Sequence, residues 1–417
     1  MTTSMLCSDN EENAADIIRD HAQARRALEI IGGNTRSGFG NRVEADSTLS
    51  SRGISGIVAY NPAEMVMTVK AGTPVAQVEA ALSAANQMLA FEPMDHRALM
   101  GTAGEPTIGG VFAANVSGPR RYVAGAARDS LLGIRFINGK GEAIKAGGRV
   151  MKNVTGLDLV KLLAGSYGTL GLLTEVTFRV LPIPPQVTTL VISGLEDEAA
   201  TNVMAAAMAT SAEVSGAAHL PESVRSRFLG GALPEGAATV LRLEGLAASV
   251  EARSQKLSTI LSAIGPSCLL GAQDSKALWR EIRDVAPYAG NPAKPLWRAS
   301  VAPSKGHMLV AALRLEAGID AFYDWQGGLV WMQMEAHAEA DLLRHYVKAL
   351  GGGHATLVRA PTREGVVAFE PLSPAEQALS LRIKTSLDPA GIFNPGKMGL
   401  ADRAYDAKNT QPPRGAA

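Results

Sequence analysis

Gly32-Gly33-Asn34-Thr35-Arg36-Ser37-Gly38-Phe39-Gly40 decides how this chain is read, because it sets a glycine-rich loop directly behind a short apolar run, LEII at 28–31. Backbone N–H groups in a loop that follows a strand can surround a phosphate. Gly32 and Gly33 allow close backbone approach and positive φ. Thr35 and Ser37 add hydroxyl donors, and Arg36 adds a positive charge. The loop is neither the GxxxxGK[ST] of a nucleotide triphosphatase nor the GxGxxG of a dinucleotide fold. Alone, it reads as a surface turn or as a phosphate cradle.

Working outward, a helix precedes the loop (AADIIRDHAQARRA), and GIVAY and MVMTVKAG follow it as strands. Thr73-Pro74 opens a helix predicted over 75–88, with Val75, Val78, Leu82 and Ala85 at helical spacing. A second small-residue stretch, TIGGVFAANVSG, covers 107–118, and a third, GSYGTLGLLT, covers 165–174. Side chains this small admit a flat ligand against the backbone or a close helix–sheet contact. Three such stretches in one half of the chain suggest a single long ligand bearing phosphates. LLGIRFING and KGEAIKAG read as a hairpin turning at Asn138-Gly139. LLTEVTFRVLPIP is a strand ending at Pro182, and Pro184-Pro185 marks a domain boundary, giving domains 1–185 and 186–373.

In the second half, strand patterns (TTLVISGL, ATVLRLEGL, LWRASVAP, GGLVWMQME, HATLVRA) alternate with helices over 199–210, 248–264 and 340–349. That order predicts an antiparallel sheet covered by helices on one face, an α+β domain. A helix over 374–387 leads into DPAGIFNPGKM as a C-terminal segment, 374–400, and the polar tail 401–417 reads as disordered. Met65, Met67, Met332 and Met334 alternate as core strand residues do, and the four tryptophans, all in the second domain, read as core or interface packing.

Composition sets what is excluded. Of the 417 residues 46% are hydrophobic, enough for a large core, and the forty Lys plus Arg balance the forty Asp plus Glu, so nothing draws the chain to nucleic acid or anionic membrane. Cys7 and Cys268 supply no disulfide framework and no iron–sulfur ligand set. No positive, then apolar leader opens the sequence, and no apolar run approaches the roughly 18 residues that span a bilayer. A cytoplasmic protein is expected, reaching a membrane only through partners.

The order GGNTRSG, TIGGVFAANVSG, GLDLVKLLAGSYGTLGLLTEVTFRVLP and DPAGIFNPGKM resembles the FAD-binding domain of the vanillyl-alcohol-oxidase (PCMH) type, shared by D-lactate dehydrogenases and glycolate oxidases. The likeness covers residues 1–185 and the C-terminal segment. With LGGGHATLVRAP and the length, the whole chain resembles the smaller of the two flavin-type subunits of bacterial glycolate oxidases. The resemblance implies an α+β fold: a two-subdomain FAD-binding domain plus an α+β cap. It implies FAD held by Gly32, Gly33, Asn34, Thr35, Arg36, Ser37 and Gly38 at the pyrophosphate. Thr107, Ile108, Gly109, Gly110, Ala114, Asn115 and Gly118 would lie nearer the flavin ring. Gly165, Gly168, Thr169, Gly171, Leu172 and Thr174 would cover the adenine–ribose end. Asn394 and Lys397 would return towards the flavin, and Pro93, within EPMDH at 92–96, would lie near the ring. It further implies oxidation of glycolate to glyoxylate together with a sister FAD-binding subunit and an iron–sulfur subunit.

Departures from the pattern matter. Relatives that bond FAD covalently through this loop carry a histidine where this chain has Asn34, so dissociable FAD is expected. Catalytic relatives also hold a metal and the substrate carboxylate with a His-x-His cluster; this chain has none, and no metal ligand set is assigned. His337 and Asp341 could share a helix face around a metal, or form a solvated helix start. His345 and His354 are the other histidines near that region. His96 could act as an acid–base group or sit as a hydrogen-bonded loop histidine. Arg120-Arg121 could bind a carboxylate or be solvated. No catalytic residue is assigned. A free-standing FAD-dependent 2-hydroxy acid dehydrogenase and a non-catalytic flavin-fold scaffold remain the alternative readings.

Overall fold

The computed structural model describes residues 4–149, 157–290, 292–363 and 365–400. The helix Glu11–Ala24 is capped at its start by the Asn10 side chain and closed by Arg25 in a left-handed conformation. It buries Ala14, Ala15 and Ile18 in one core with Leu28 and Leu49. Those leucines belong to a three-stranded parallel sheet of β1 (Ser4–Cys7), β2 (Leu28–Ile31) and β3 (Ser47–Ser50), in the order β1-β3-β2. The glycine-rich loop therefore leaves the end of an edge strand.

A five-stranded antiparallel sheet lies beside it, ordered β4-β5-β9-β7-β8. Its members are β4 (Ile57–Asn61), β5 (Val66–Lys70), β7 (Leu131–Ile137), β8 (Ala143–Gly147) and β9 (Leu172–Arg179); the short β6 (Gln87–Met88) pairs separately with β10 (Leu181–Pro182). The turn between β7 and β8 is a five-residue loop, not a tight Asn-Gly turn. The Asn138 side chain accepts from the Lys140 and Glu142 N–H groups, and a Cβ on Gly139 would stand 2.4 Å from Asp388 Oδ1. The loop is shaped to receive the C-terminal segment. The helix expected over 75–88 ends at Ala84, because Asn86 turns left-handed and Gln87–Met88 then pairs as a strand.

Directly after Pro184-Pro185 the chain enters an eight-stranded, wholly antiparallel sheet, ordered β14-β11-β13-β12-β16-β17-β15-β18. These are β11 (Gln186–Ser193), β12 (Gly216–Leu220), β13 (Ala238–Gly245), β14 (Ser267–Leu270), β15 (Leu296–Ser300), β16 (Ile319–Asp324), β17 (Leu329–Met334) and β18 (His354–Arg359). Alternation decides the faces. Leu190, Ile192, Leu241 and Leu243 pack on helices Asp197–Met208 and Ala247–Leu261, and Trp297, Ala299, Tyr323 and Met332 pack on Gly306–Arg314 and Ala340–Ala349. The opposite face carries Val191, Val240, Phe322 and Trp331 into the same core as Met67, Phe112 and Phe178 of the N-terminal half. Both faces are covered, since helix Ala272–Arg283 sends Leu278, Trp279 and Ile282 into that shared core. Met67, Met332 and Met334 are buried as expected; Met65 is exposed, because it closes a 3-10 turn in a left-handed conformation.

The helix Pro374–Leu387, with a Ser373/Glu376 capping box, brings the C-terminal segment back to the first sheet. Phe393 bridges to Leu28, and the buried Lys384 amine donates to Thr169 O and Phe393 O (both 2.9 Å) and pairs with Asp388 at 2.6 Å. Asp388 in turn accepts from the Ile392 and Phe393 N–H groups. Removing one partner of a buried pair strands the other's charge. Lys384→Met is therefore expected to cost about 3 kcal/mol or more, read as a lower denaturant midpoint. The tail 401–417 lies outside the described residues.

Candidate functional site

The loop at 32–38 forms one wall of an open cleft. Residues 34–38 donate no backbone hydrogen bond within the described chain, so a row of N–H groups is left for an external acceptor. The Arg36 guanidinium donates to Gly110 O at 2.9 Å while its Nε is buried without an acceptor, and burial pushes its pKa down to about 10, so it stays charged at neutral pH. A cleft with these groups suits an anion.

Opposite the loop, Thr107 caps the short helix Ile108–Ala113 by accepting from the Gly110 N–H. The small residues here serve both of the purposes their composition allowed. A Cβ on Gly109 would stand 2.6 Å from Ala71 Cβ, which is a close helix–sheet contact, whereas Gly110 borders the cleft beside Arg36. Asn394 closes the far side: its Oδ1 accepts from the Ile30 N–H and its Nδ2 donates to Tyr167 O, both at 2.7 Å. Asn34, Asn115, Tyr167 and Asn394 all have positive φ. For asparagine that conformation is cheap; for Tyr167 it is strained, and it sets the ring 5.8 Å from Phe39 and nearly parallel to it.

Of the residues singled out in the sequence, Gly32, Gly33, Asn34, Thr35, Arg36, Ser37, Gly38, Thr107, Gly109, Gly110, Ala114, Gly168, Gly171, Leu172, Asn394 and Lys397 line this cleft. Asn115 and Gly118 line a second chamber, described below. Five lie elsewhere. Ile108 is in the core, and Pro93 is buried but reaches neither cavity. Gly165 donates its N–H to Phe112 O, the Thr169 hydroxyl turns to Ser166 O, and the Thr174 hydroxyl bonds Glu11. Thr174 falls at the register shift between β7 and β9, which pairs Leu173 with Phe136 and Glu175 with Arg135. Phe39, Tyr167, Ile30 and Ala71 line the cleft without having been singled out; the two aromatics stood inside or beside the glycine stretches and were the readable signal.

Past Arg36, Phe39, Ala114 and Tyr167, which border both, the cleft adjoins a chamber between the two halves. The first half contributes Met94, His96 and residues 115–119; the second contributes Ile282, Arg283, Arg298, Asp324, Leu329 and Trp331. His96 Nδ1 lies 3.2 Å from Met94 O, so the loop-histidine reading holds even though the ring borders the chamber. Burial and the nearby Arg36 push His96 down to about 3, leaving it neutral at physiological pH. Asp324 is pushed up to about 7, chiefly by burial, although the Trp325 N–H and Arg242 pull the other way.

Ion pairs fasten the halves together around the chamber. Arg120 grips Glu244 through both guanidinium nitrogens at 2.5 and 2.7 Å, and Arg242 grips Glu92 at 2.8 and 3.1 Å. Arg120 is thus neither solvated nor available to a ligand. Trp325 donates to Gly118 O at 3.0 Å, with Arg121 stacked 4.3 Å from its ring centroid. His337, His345 and His354 are exposed, and His337 precedes the first turn of the helix that holds Asp341, so the two do not share a helical face. Among the described residues no group of three or more His, Cys, Asp or Glu is placed to hold a metal ion, and no helix is long and apolar enough to cross a membrane.

This arrangement, a parallel and an antiparallel subdomain carrying the cleft and a large antiparallel sheet closing its far end, defines the class of two-domain flavoproteins. Residues 4–147 match the FAD binding domain family. Over 370 residues the chain is 34% identical to the glycolate oxidase subunit GlcE of Escherichia coli, covering 88% of this chain and 92% of that protein. Against the mitochondrial cytochrome-dependent D-lactate dehydrogenase of Arabidopsis thaliana it is 27% identical over 324 residues, 70% of this chain and 56% of the relative. The fold superposes on p-cresol methylhydroxylase with a TM-score of 0.71 at 13% identity, covering 95% of this chain and 88% of that one. The chain belongs to the FAD-binding oxidoreductase family, in the group of the glycolate oxidase subunit GlcE.

Proposed function

We propose that this protein is the FAD-binding subunit of a multi-subunit glycolate oxidase, oxidising glycolate to glyoxylate together with a sister flavin subunit and an iron–sulfur subunit, in the cytoplasm or at the inner face of the membrane through those partners. The observation that carries the reading is the cleft and the chamber that adjoins it: an anion-accepting end at residues 34–38 leads to a chamber between the halves, the arrangement that a cofactor with a pyrophosphate and a flat ring requires. The identity to GlcE over most of both chains supports the substrate and the assembly.

The residues fit the cofactor. Unengaged N–H groups at 34–38 and the buried Arg36 Nε suit the pyrophosphate, Gly110 leaves room beside Arg36, and Phe39 and Tyr167 flank the passage to the ring end. Asn34 in place of a histidine leaves nothing in the loop to bond the flavin, so it is held non-covalently. When bound, FAD supplies the two-electron acceptor for alcohol oxidation. The chain's own side chains position it. Cys7 and Cys268, both exposed, offer no cluster ligands, so iron–sulfur centres belong to another subunit. Anaerobic glycolate is expected to leave the flavin of the purified chain oxidised and to bleach it only when the partner subunits are added. Bleaching of the chain alone would instead make it a free-standing dehydrogenase.

A further inference from the structure

No helix or strand lies between Ile31 and Ser47, and Gly38 and Gly40, at φ +81° and +76°, bracket Phe39 with two left-handed residues. A stretch of this kind has many shapes open to it, and holding one of them costs entropy. Among the described residues, the hydrogen bonds that tie 37–45 to parts of the chain beyond this loop converge on Gly40 and Asn41. Gly40 O accepts from Arg363 Nη1. The Asn41 N–H donates to Lys397 O at 3.2 Å, its Oδ1 accepts from the Ala368 N–H at 2.7 Å, and its Nδ2 donates to Gly396 O at 3.2 Å. The loop, the cap domain and the C-terminal segment thus meet on two residues.

The cap side of this junction is itself well anchored. Leu357 of β18 donates its N–H to Ala368 O at 2.7 Å, and Arg344 of the helix Ala340–Ala349 donates to Phe369 O at 3.0 Å. Arg363 Nη2 donates to Val358 O at 2.8 Å, so one guanidinium joins β18 to Gly40. Phe369 sets its ring edge-on to Phe39 and Tyr167, at 6.2 and 5.0 Å, and a Cβ on Gly40 would stand 2.9 Å from it. Asn41, Arg363 and Ala368 line neither the cleft nor the chamber. They can act on a ligand only through the loop, whose free N–H groups lie a few residues upstream at 34–38.

We propose that Asn41 and Arg363 are positioning residues, a clasp through which the cap domain holds the anion-accepting loop in its binding shape and so sets how tightly the cofactor is retained. Without the clasp the loop must be ordered when the ligand arrives, and that cost is subtracted from affinity. The inference rests on the FAD reading for the identity of the ligand; the ordering of the loop does not depend on it.

The test combines hydrogen–deuterium exchange of the cofactor-free chain with FAD titration, in the unaltered protein, Asn41→Ala, Arg363→Met and Arg363→Lys. Arg363→Met is expected to speed exchange at 39–41 and to leave the cap strand Ile319–Asp324 as protected as before. The Kd for FAD is expected to rise about tenfold in Asn41→Ala and in Arg363→Met, and less in Arg363→Lys, which keeps a donor for Gly40 O. Unchanged exchange at 39–41 overturns the proposal, as does faster exchange there with an unchanged Kd. Faster exchange throughout the cap also overturns it, since the guanidinium would then serve the cap's general stability. If the unaltered chain takes up no FAD while Arg363→Met speeds exchange at 39–41 alone, the clasp stands and the flavin reading fails; with neither, both fail.

Discussion

Gly33→Val is expected to yield a protein that no longer retains flavin. A Cβ at Gly33 would lie 1.5 Å from Glu105 O, and one at Gly104 would lie 1.8 Å from Gly33 O, so two stretches of backbone touch here. The glycine is required by this contact, not by the cofactor's own volume. A branched side chain must push the 32–38 loop off the 104–107 segment and so disperse the N–H groups at 34–38. Overpacking of this kind costs roughly 1–3 kcal/mol, and applied to the cofactor-bound arrangement it lowers FAD affinity about tenfold or more. Gly110→Ala is the matched control. Its Cβ would meet Thr107 Oγ1 at 3.1 Å and Arg36 Nη1 at 3.2 Å, contacts a side chain can relieve, so flavin content is expected to fall much less. Extracted FAD per mole of folded protein reads both.

Glu92→Gln is expected to loosen the two halves and to remove an acid-sensitive part of the stability. Burial alone would push the Glu92 carboxyl up, but Arg242 and Arg120 outweigh it and hold it at about 2, against an ordinary 4.5. A carboxylate depressed on folding contributes stability that is fully present above its unfolded pKa and is lost as pH falls through the folded one. The contribution is therefore whole above about pH 5 and fades between there and pH 2, and it is on the order of 3 kcal/mol. The variant takes from Arg242, which is 2% exposed, its closer carboxylate and leaves only the 3.5 Å pair with Glu244, and breaking a buried pair costs about 3–5 kcal/mol. Unfolding followed from pH 7 down to pH 3 should show the unaltered protein weakening steeply and Glu92→Gln starting lower and sloping less.

These sites were unequally legible. Glycine-rich stretches separated by dozens of residues could be read as one cradle because backbone exposure and small side chains leave a compositional trace, and most of the residues named from them line the cleft. Thr174 and Ile108 were misplaced because a stretch is not a face: Thr174 falls at a register shift in β9 and bonds Glu11, and the helical turn after Thr107 sends Ile108 into the core. The chamber was hidden for a different reason. Arg298 stands in LWRASVAP, which reads as an ordinary strand, and Asp324 in IDAFYD, a stretch the strand patterns did not mark, and their meeting with Arg36 depends on which face of an eight-stranded sheet turns to the first half. One trace was present: a charged residue at the alternate position between Leu296 and Ser300, opposite in phase to Trp297 and Ala299. Strands such as GAAHL, buried throughout, carried no alternation to read.

The central claim is that the cleft holds FAD without a covalent bond. Its most direct test is the flavin content of the purified chain, taken as a visible spectrum and then as FAD released into the supernatant by acid precipitation, before and after reconstitution. Stoichiometric FAD recovered in the supernatant is predicted. Flavin that stays with the precipitated protein would contradict non-covalent binding, and a chain that takes up no FAD even after reconstitution would contradict the reading of the cleft.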